Sequence, residues 1–156
     1  AVDIDAQGNV WVSGTGGAAK RNAQTGIWQR YRITNTGQFS NWNNDLTIDT
    51  ISNTVWIGGN AGTGIGGMMK FDGERWFCFN QETYGLGVEW PFMNDDCHAL
   101  AYRESNGNLA ISPLNWLIGI HEWTGTGFNT LLPEGGAQKL VEDSQGRLWA
   151  WENISV

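Results

Sequence analysis

The sequence predicts an all-β chain of β-propeller blades, each of four antiparallel strands, with about three and a half blades in 156 residues and therefore an incomplete ring. Three observations carry that prediction. A motif recurs: GNVWVSGTGG at 8–17, NTVWIGG at 53–59 and GRLWAW at 146–151 each close a turn and open a strand carrying Trp, and a repeat of this kind decides the fold before any single residue does. The spacing is regular. Trp11 to Trp56 is 45 residues and Trp56 to Trp149 is 93, close to twice that, so a further copy must lie between; GNLAIS at 107–112 fills the gap with Ala110 in the Trp place. Composition agrees, because 22 Gly and 10 Trp suit tight turns between short aromatic strands, and no window of ten residues shows a helical stripe.

The elements follow in order. In the first unit, about 1–32, VDID at 2–5 alternates apolar and acidic, AQGN turns at 6–9, and VWVS continues at 10–13. GGAAKR at 16–21, a turn NAQTG at 22–26 and a last strand over 26–32 with Trp28 and Tyr31 three apart complete it. Alternation of period two marks each as a half-buried strand. The second unit, about 45–80, gives strands at 45–50, 54–58, 67–71 and 75–80, with DGE as the turn and Trp76/Phe79 as the aromatic pair. The third, about 97–132, gives 97–103, 108–112, 117–122 and 127–132; it keeps Gly119, a Thr126–Gly127 turn and Phe128/Leu131, but carries Arg103 for Asp and Ala110 for Trp, which predicts an irregular blade. A half unit over 137–151 supplies strands at 137–142 and 147–151. The whole chain, 1–156, reads as one propeller segment, and Trp11, Trp28, Trp56, Trp76 and Trp149 are its expected core.

At the runs Asp5 to Gly14, Asp49 to Gly58 and Asp143 to Trp149, with the Gly-Gly start of the third strand and the small turn before the Trp/Tyr strand, the chain resembles the two-component-regulator propeller repeats of sensor ectodomains and secreted proteins. Tectonin-type and quinoprotein-type blades resemble it more weakly. The resemblance implies a propeller and an exported ligand-sensing module; the shared motif residues are structural.

Blade topology sorts the connections onto two faces. The hairpin turns AQGN, TISN, ESNG, DSQG, NAQTG, DGE and TGTG fall on one face and contain no aromatic residue. The connections 33–44, 59–66, 81–96 and 113–116 fall on the other and carry Phe39, Trp42, Tyr84, Trp90, Phe92 and Trp116. Loops held by a rigid scaffold are where binding residues concentrate. Aromatics beside Asn, Gln and carboxylates suit a saccharide, and a peptide satisfies them too, so these six are the candidate ligand-binding residues.

Other motifs are weaker. GTGIGG at 62–67 matches a dinucleotide fingerprint by letter but joins two strands and opens no helix. Asp3, Asp5, Gln7 and Asn9 imitate a calcium loop whose twelfth position is Gly14 where Glu is required,. Asp95, Asp96 and His98 near Cys97, and His121 with Glu122, lack the ligand spacing of a zinc site. Glu82, Glu89, Asp95 and Asp96 leave room for paired-carboxylate chemistry, but an acid-rich loop is more often a solvated one. Cys78 and Cys97 flank the long loop and are equally readable as a disulfide or as buried thiols.

Nine basic against 16 acidic residues, a net charge of −7, oppose nucleic-acid binding. No stretch is long and apolar enough for membrane insertion. The acidic, Gly- and Asn-rich composition and the sequon at Asn153 fit a periplasmic or extracellular protein, and the missing initiator Met fits a mature or excised piece. The resulting expectation is a non-catalytic recognition module without a cofactor. Its partners are a glycan or protein on the aromatic face and the remaining blades of the same or another chain. A structural part of a surface assembly and a polysaccharide lyase or glycosidase are the alternatives.

Overall fold

The computed structural model describes residues 1–36, 42–59, 67–80, 96–113 and 118–151. Four strands, β1 (Val2–Ile4), β2 (Val10–Gly14), β3 (Gly17–Arg21) and β4 (Trp28–Tyr31), form the first sheet. A single helical turn, α1 (Ile33–Thr36), follows. The second sheet is β5 (Asn43–Asp49), β6 (Thr54–Gly59), β7 (Gly67–Phe71) and β8 (Trp76–Phe79); the third is β9 (Ala99–Arg103), β10 (Asn108–Ser112), β11 (Ile120–Trp123) and β12 (Phe128–Leu132). β13 (Lys139–Glu142) and β14 (Leu148–Trp151) pair as a fourth, two-stranded sheet. Every sheet is antiparallel in chain order, as the alternating pattern predicts; among the described residues α1 is the one element that pattern did not announce.

Register confirms that the units are equivalent. Trp11 lies opposite Asp3 and Lys20, Trp56 opposite Thr47 and Lys70, Ala110 opposite Ala101 and Glu122, and Trp149 opposite Val141. Lys20 sits 5.3 Å from the Trp11 ring centre and Lys70 5.4 Å from that of Trp56, a cation over the indole in each case,. Each third strand also opens on a glycine with positive φ, 109° at Gly17, 126° at Gly67 and 88° at Gly119. A Cβ there would stand 2.2 Å, 2.2 Å and 1.9 Å from the carbonyl oxygens of Tyr31, Phe79 and Leu132, so only glycine fits,.

The core lies in the seams between sheets. Trp11, Ala18 and Tyr31 pack on Leu46, Ile48, Val55, Ile57, Met69 and Phe71 of the second sheet. Trp56 and Met68 pack on Leu100, Leu109, Ile111 and Trp123 of the third. Ala99, Ala101, Ala110 and Ile120 receive Leu140 of the fourth. What buries each repeat Trp is therefore the next sheet, and this corrects two core expectations. Trp149 is 60% exposed because none of the described sheets lies over its face, and Trp28 is 49% exposed because it lies on the face of the first sheet opposite to Tyr31, away from the second sheet. Trp11 and Trp56 are buried as expected, at 1% and 8%, and Trp76 is half-buried.

The innermost strands β1, β5, β9 and β13 are sheet edges whose outward N–H groups need partners. The preceding sheet supplies them. Ile48 N–H donates to Asp3 Oδ2 at 3.1 Å, and Tyr102 N–H, in the equivalent place, donates to Thr47 Oγ1 at 3.0 Å. Leu100 N–H donates to Asp45 Oδ2 at 3.0 Å.

The third sheet is as complete as its neighbours, against expectation, with one irregularity between Ile120 and His121. Its unusual residues compensate one another. Arg103 Nη1 and Glu122 Oε1 form an ion pair at 2.7 Å, and Arg103 Nε reaches Glu142 Oε1 at 3.1 Å.

Candidate functional site

The two ends of the stack differ in how their polar groups are spent. At the hairpin-turn end an Asp closes the inner turn of the first, second and fourth sheets. Asp5 Oδ1 accepts the Gln7 and Asn9 amides at 3.1 and 2.9 Å, and Oδ2 accepts Trp11 Nε1 at 3.0 Å. Asp49 accepts the Ile51 and Ser52 amides. Asp143 accepts Trp149 Nε1 at 2.8 Å and the Gln145 and Arg147 amides. Burial alone would raise the Asp5 and Asp49 carboxyls, but these hydrogen bonds outweigh it and hold both below their ordinary range,. The Trp149 bond, with the turn amides and Arg147, holds Asp143 at about 2. The residues that resembled the start of a calcium loop are thus committed to a hairpin.

A cavity of about 400 Å³ opens at this end between the inner strands, lined by Asp3, Tyr102, Glu104, Ser105, Glu142 and Asp143 among others. Its acids are already engaged, Glu142 by Arg103 and Ser105 and Glu104 by Thr50. Lateral grooves run along the seams. The first, about 610 Å³, has Tyr31, Phe71 and Trp76 as its aromatic floor, and its counterpart in the second seam, about 290 Å³, has Phe79, Trp56 and Trp123.

The long-loop end is built differently. Of the six predicted site residues, Trp42 lies among the described residues; Phe39, Tyr84, Trp90, Phe92 and Trp116 fall outside them. Trp42 is 50% exposed and forms an antiparallel bridge with Thr15, which fixes it against the end of β2. Four residues among those described carry buried side-chain polar atoms with no hydrogen-bond partner: Ser13 Oγ, both amide atoms of Asn43, His98 Nδ1 and Trp76 Nε1. The first three sit at the long-loop end, Ser13 near the end of β2, Asn43 at the start of β5 and His98 just before β9. Beside them Asn44 Nδ2 donates to the Cys97 carbonyl at 3.3 Å and to Asp96 Oδ1 at 3.4 Å. Burial pushes the Asp96 carboxyl up, with nearby His98 opposing.

Ser13, Asn43 and His98 were not singled out by sequence reasoning as binding residues of this face. The one available signal was the Asn-Trp-Asn-Asn run at 41–44, where amides cluster around the predicted Trp.

The remaining candidates resolve as structure. His121 Nε2 donates to the Ile118 carbonyl at 2.8 Å, and its neighbour Glu122 belongs to the Arg103 pair. Among the described residues no group of three or more His, Cys, Asp or Glu could hold a metal ion, and no disulfide joins Cys78 and Cys97. Glu82, Glu89 and Asp95 lie outside the described residues. No helix among those described is long and apolar enough to cross a membrane.

No family model matches the sequence, and no curated protein matches it. Solved structures do. Two extracellular domains of proteins described as hybrid two-component systems of B. thetaiotaomicron superpose with TM-scores of 0.69 and 0.68 at 16% and 14% identity, covering 96% and 99% of this chain. The chain spans 18% and 21% of the length of those structures. A gluconolactonase from Xanthomonas campestris superposes with a TM-score of 0.66 at 15% identity over 96% of this chain and 54% of its own. At such identities the likeness concerns the fold, and the fold is that of a β-propeller segment, three four-stranded sheets and a fourth begun.

Proposed function

We propose that this chain is a recognition segment of an exported, sensor-type propeller protein, and that a glycan or protein partner meets it on the long-loop face. The observation that carries this reading is the unequal use of polar groups at the two ends. At the hairpin-turn end the turn carboxylates are consumed by turn amides, indoles and ion pairs. At the other end Trp42 is half exposed, and Ser13, Asn43 and His98 carry buried polar atoms without partners. Folding has no use for such atoms, since each costs about 1–3 kcal/mol, whereas a binding face does. The extracellular setting of the two B. thetaiotaomicron domains supports export. Trp42→Ala tests the reading: it should weaken partner binding by about 1 kcal/mol or more with little change in the thermal midpoint. A lower midpoint with normal binding would make Trp42 a cap on the seam.

A second partner follows from Trp149. It occupies the register of Trp11 and Trp56 yet is exposed, and Val2 and Ile4, in the register of the buried Leu46 and Ile48, are exposed at 67% and 56%. Further blades of the ring, on the same or another chain, are the proposed cover for both faces.

A further inference from the structure

We propose that Asn43, backed by Ser13, is the specificity-determining hydrogen-bonding element of the long-loop face and takes two adjacent hydroxyl groups of a saccharide ligand. The inference rests on the recognition reading above and names both the residue and the chemistry.

Register aims the two side chains at one place. Asn43 pairs with Gly59 and Asp45 with Gly58, the strand bulging between them, so Asn43 lies on the same face of β5 as Leu46 and Ile48,. That face packs on the first sheet. Ser13 is two residues beyond Trp11 on β2 and shares its face, which packs on the second sheet,. Both therefore project into the first seam at its long-loop end. The Thr15–Trp42 bridge draws the two strands together there, so the exposed indole is the immediate chain neighbour of Asn43.

Asn43 is 6% exposed, yet neither its amide N–H₂ nor its carbonyl oxygen has a partner among the described residues, and neither does Ser13 Oγ. Buried polar groups in folded proteins are nearly always paired, with protein or with water, and an exception calls for a specific cause. A carboxamide offers one donor and one acceptor side by side. Adjacent ring hydroxyls each donate and accept, so they satisfy both atoms whichever way the amide is turned, and Ser13 Oγ can serve the second lone pair or proton. An extended peptide residue turns its own N–H and C=O to one edge and so could also meet both atoms, but it fixes one orientation of the amide and brings no ring face, whereas each sugar hydroxyl serves either atom. Trp42, the preceding residue, is half exposed at the same end of the chain fold, and a flat apolar surface is the other half of what a sugar ring requires.

The test follows the Asn43 side-chain amide and the Trp42 indole N–H by ¹⁵N NMR in the full chain. Cellobiose, lactose and mannobiose are titrated into the millimolar range, with N-acetyl-alanine methylamide as the peptide arm. The expected result is that at least one disaccharide moves both signals with a single saturation curve. Asn43→Leu should then lose binding at least tenfold while its thermal midpoint rises, because an unpaired buried amide has been replaced by an apolar group. Ser13→Ala, which is safer for folding, should weaken binding several-fold. If a sugar moves the Trp42 indole but leaves the Asn43 amide still, and Asn43→Leu binds normally, the assignment of Asn43 is wrong while the recognition face stands. If the peptide moves Asn43 and the sugars do not, the ligand chemistry is wrong. If Asn43→Leu gains stability and no probe moves either signal, the amide is satisfied by water alone and the inference falls.

Discussion

Arg103 and Glu122 meet at 2.7 Å in the third sheet at the two positions where the first sheet places Asp5 and Lys20, so an ion pair is kept with its polarity reversed. Ala110 stands on the strand between them, where the other sheets carry Trp, and its small side chain leaves room for the guanidinium. Because the pair is mostly buried and Arg103 also holds Glu142, removing one partner strands a charge. Glu122→Ala or Arg103→Ala should each cost about 3 kcal/mol, and a double-mutant cycle in urea should show a coupling of about 1 kcal/mol or more. Additive losses would mean that the two residues act separately.

The repeat tryptophans should sort by neighbour and not by motif. Trp56→Ala removes a side chain buried by the third sheet and should cost about 3–5 kcal/mol. Trp149→Ala, at the same register position but 60% exposed, should cost about 1 kcal/mol, the loss of its exposed bond to Asp143,. Equal losses in a denaturant melt would show that Trp149 is covered in solution.

Gly67→Ala should be among the most damaging small substitutions. It combines a φ of 126° with a Cβ 2.2 Å from the Phe79 carbonyl, and a loss of about 2–4 kcal/mol is expected. Gly73→Ala, with positive φ but open space around its Cβ, should cost about 1 kcal/mol. The comparison in thermal melts separates steric collision from backbone strain.

Acid should weaken the fold in a defined window. The Asp5, Asp49, Glu122 and Glu142 carboxyls are held below their ordinary values by hydrogen bonds that outweigh burial. Groups lowered in the folded state contribute stability above their unfolded pKa and lose it as pH falls through the folded value. The urea midpoint should therefore be nearly level from about pH 7 to 5 and decline below about pH 4. Glu122→Gln should flatten that decline. Asp96, raised by burial, works in the opposite direction, and Asp96→Asn should lift the level region slightly.

The sheets were legible in the sequence because three signals agree in the first two units: alternation, an Asp that closes the inner hairpin, and a glycine that opens the third strand. What alternation cannot report is which sheet covers which face. Trp28 and Trp149 carry the same local pattern as Trp11 and Trp56, and only the position of a sheet in the stack decides their burial. The third unit misled for a related reason. Arg103 and Ala110 each break the pattern, and a sequence reading meets them 7 residues apart on neighbouring strands, whereas Glu122, which completes the reversal, is on the next strand again. Of the candidate site, Trp42 was readable as a loop aromatic; Asn43 was not, because an unpaired amide is defined by the absence of neighbours and leaves no mark in composition or spacing.

The contacts that join successive sheets give the stack a direction of unravelling. The first two seams are large aromatic and aliphatic packings with inner edges stitched by Asp3 and Thr47 to backbone amides. The third seam is mainly alanines, Ile120 and Leu140, and its long reach depends on charge, with Lys139 held by Asp45 at 2.7 Å and Glu142 by Arg103. Salt acts more on the second kind of join than on the first. The amide protons of 139–151 should therefore exchange with solvent before those of the inner strands, and raising ionic strength should widen that gap, so that the chain comes apart from one end like a clasped row of pages and not as a single block.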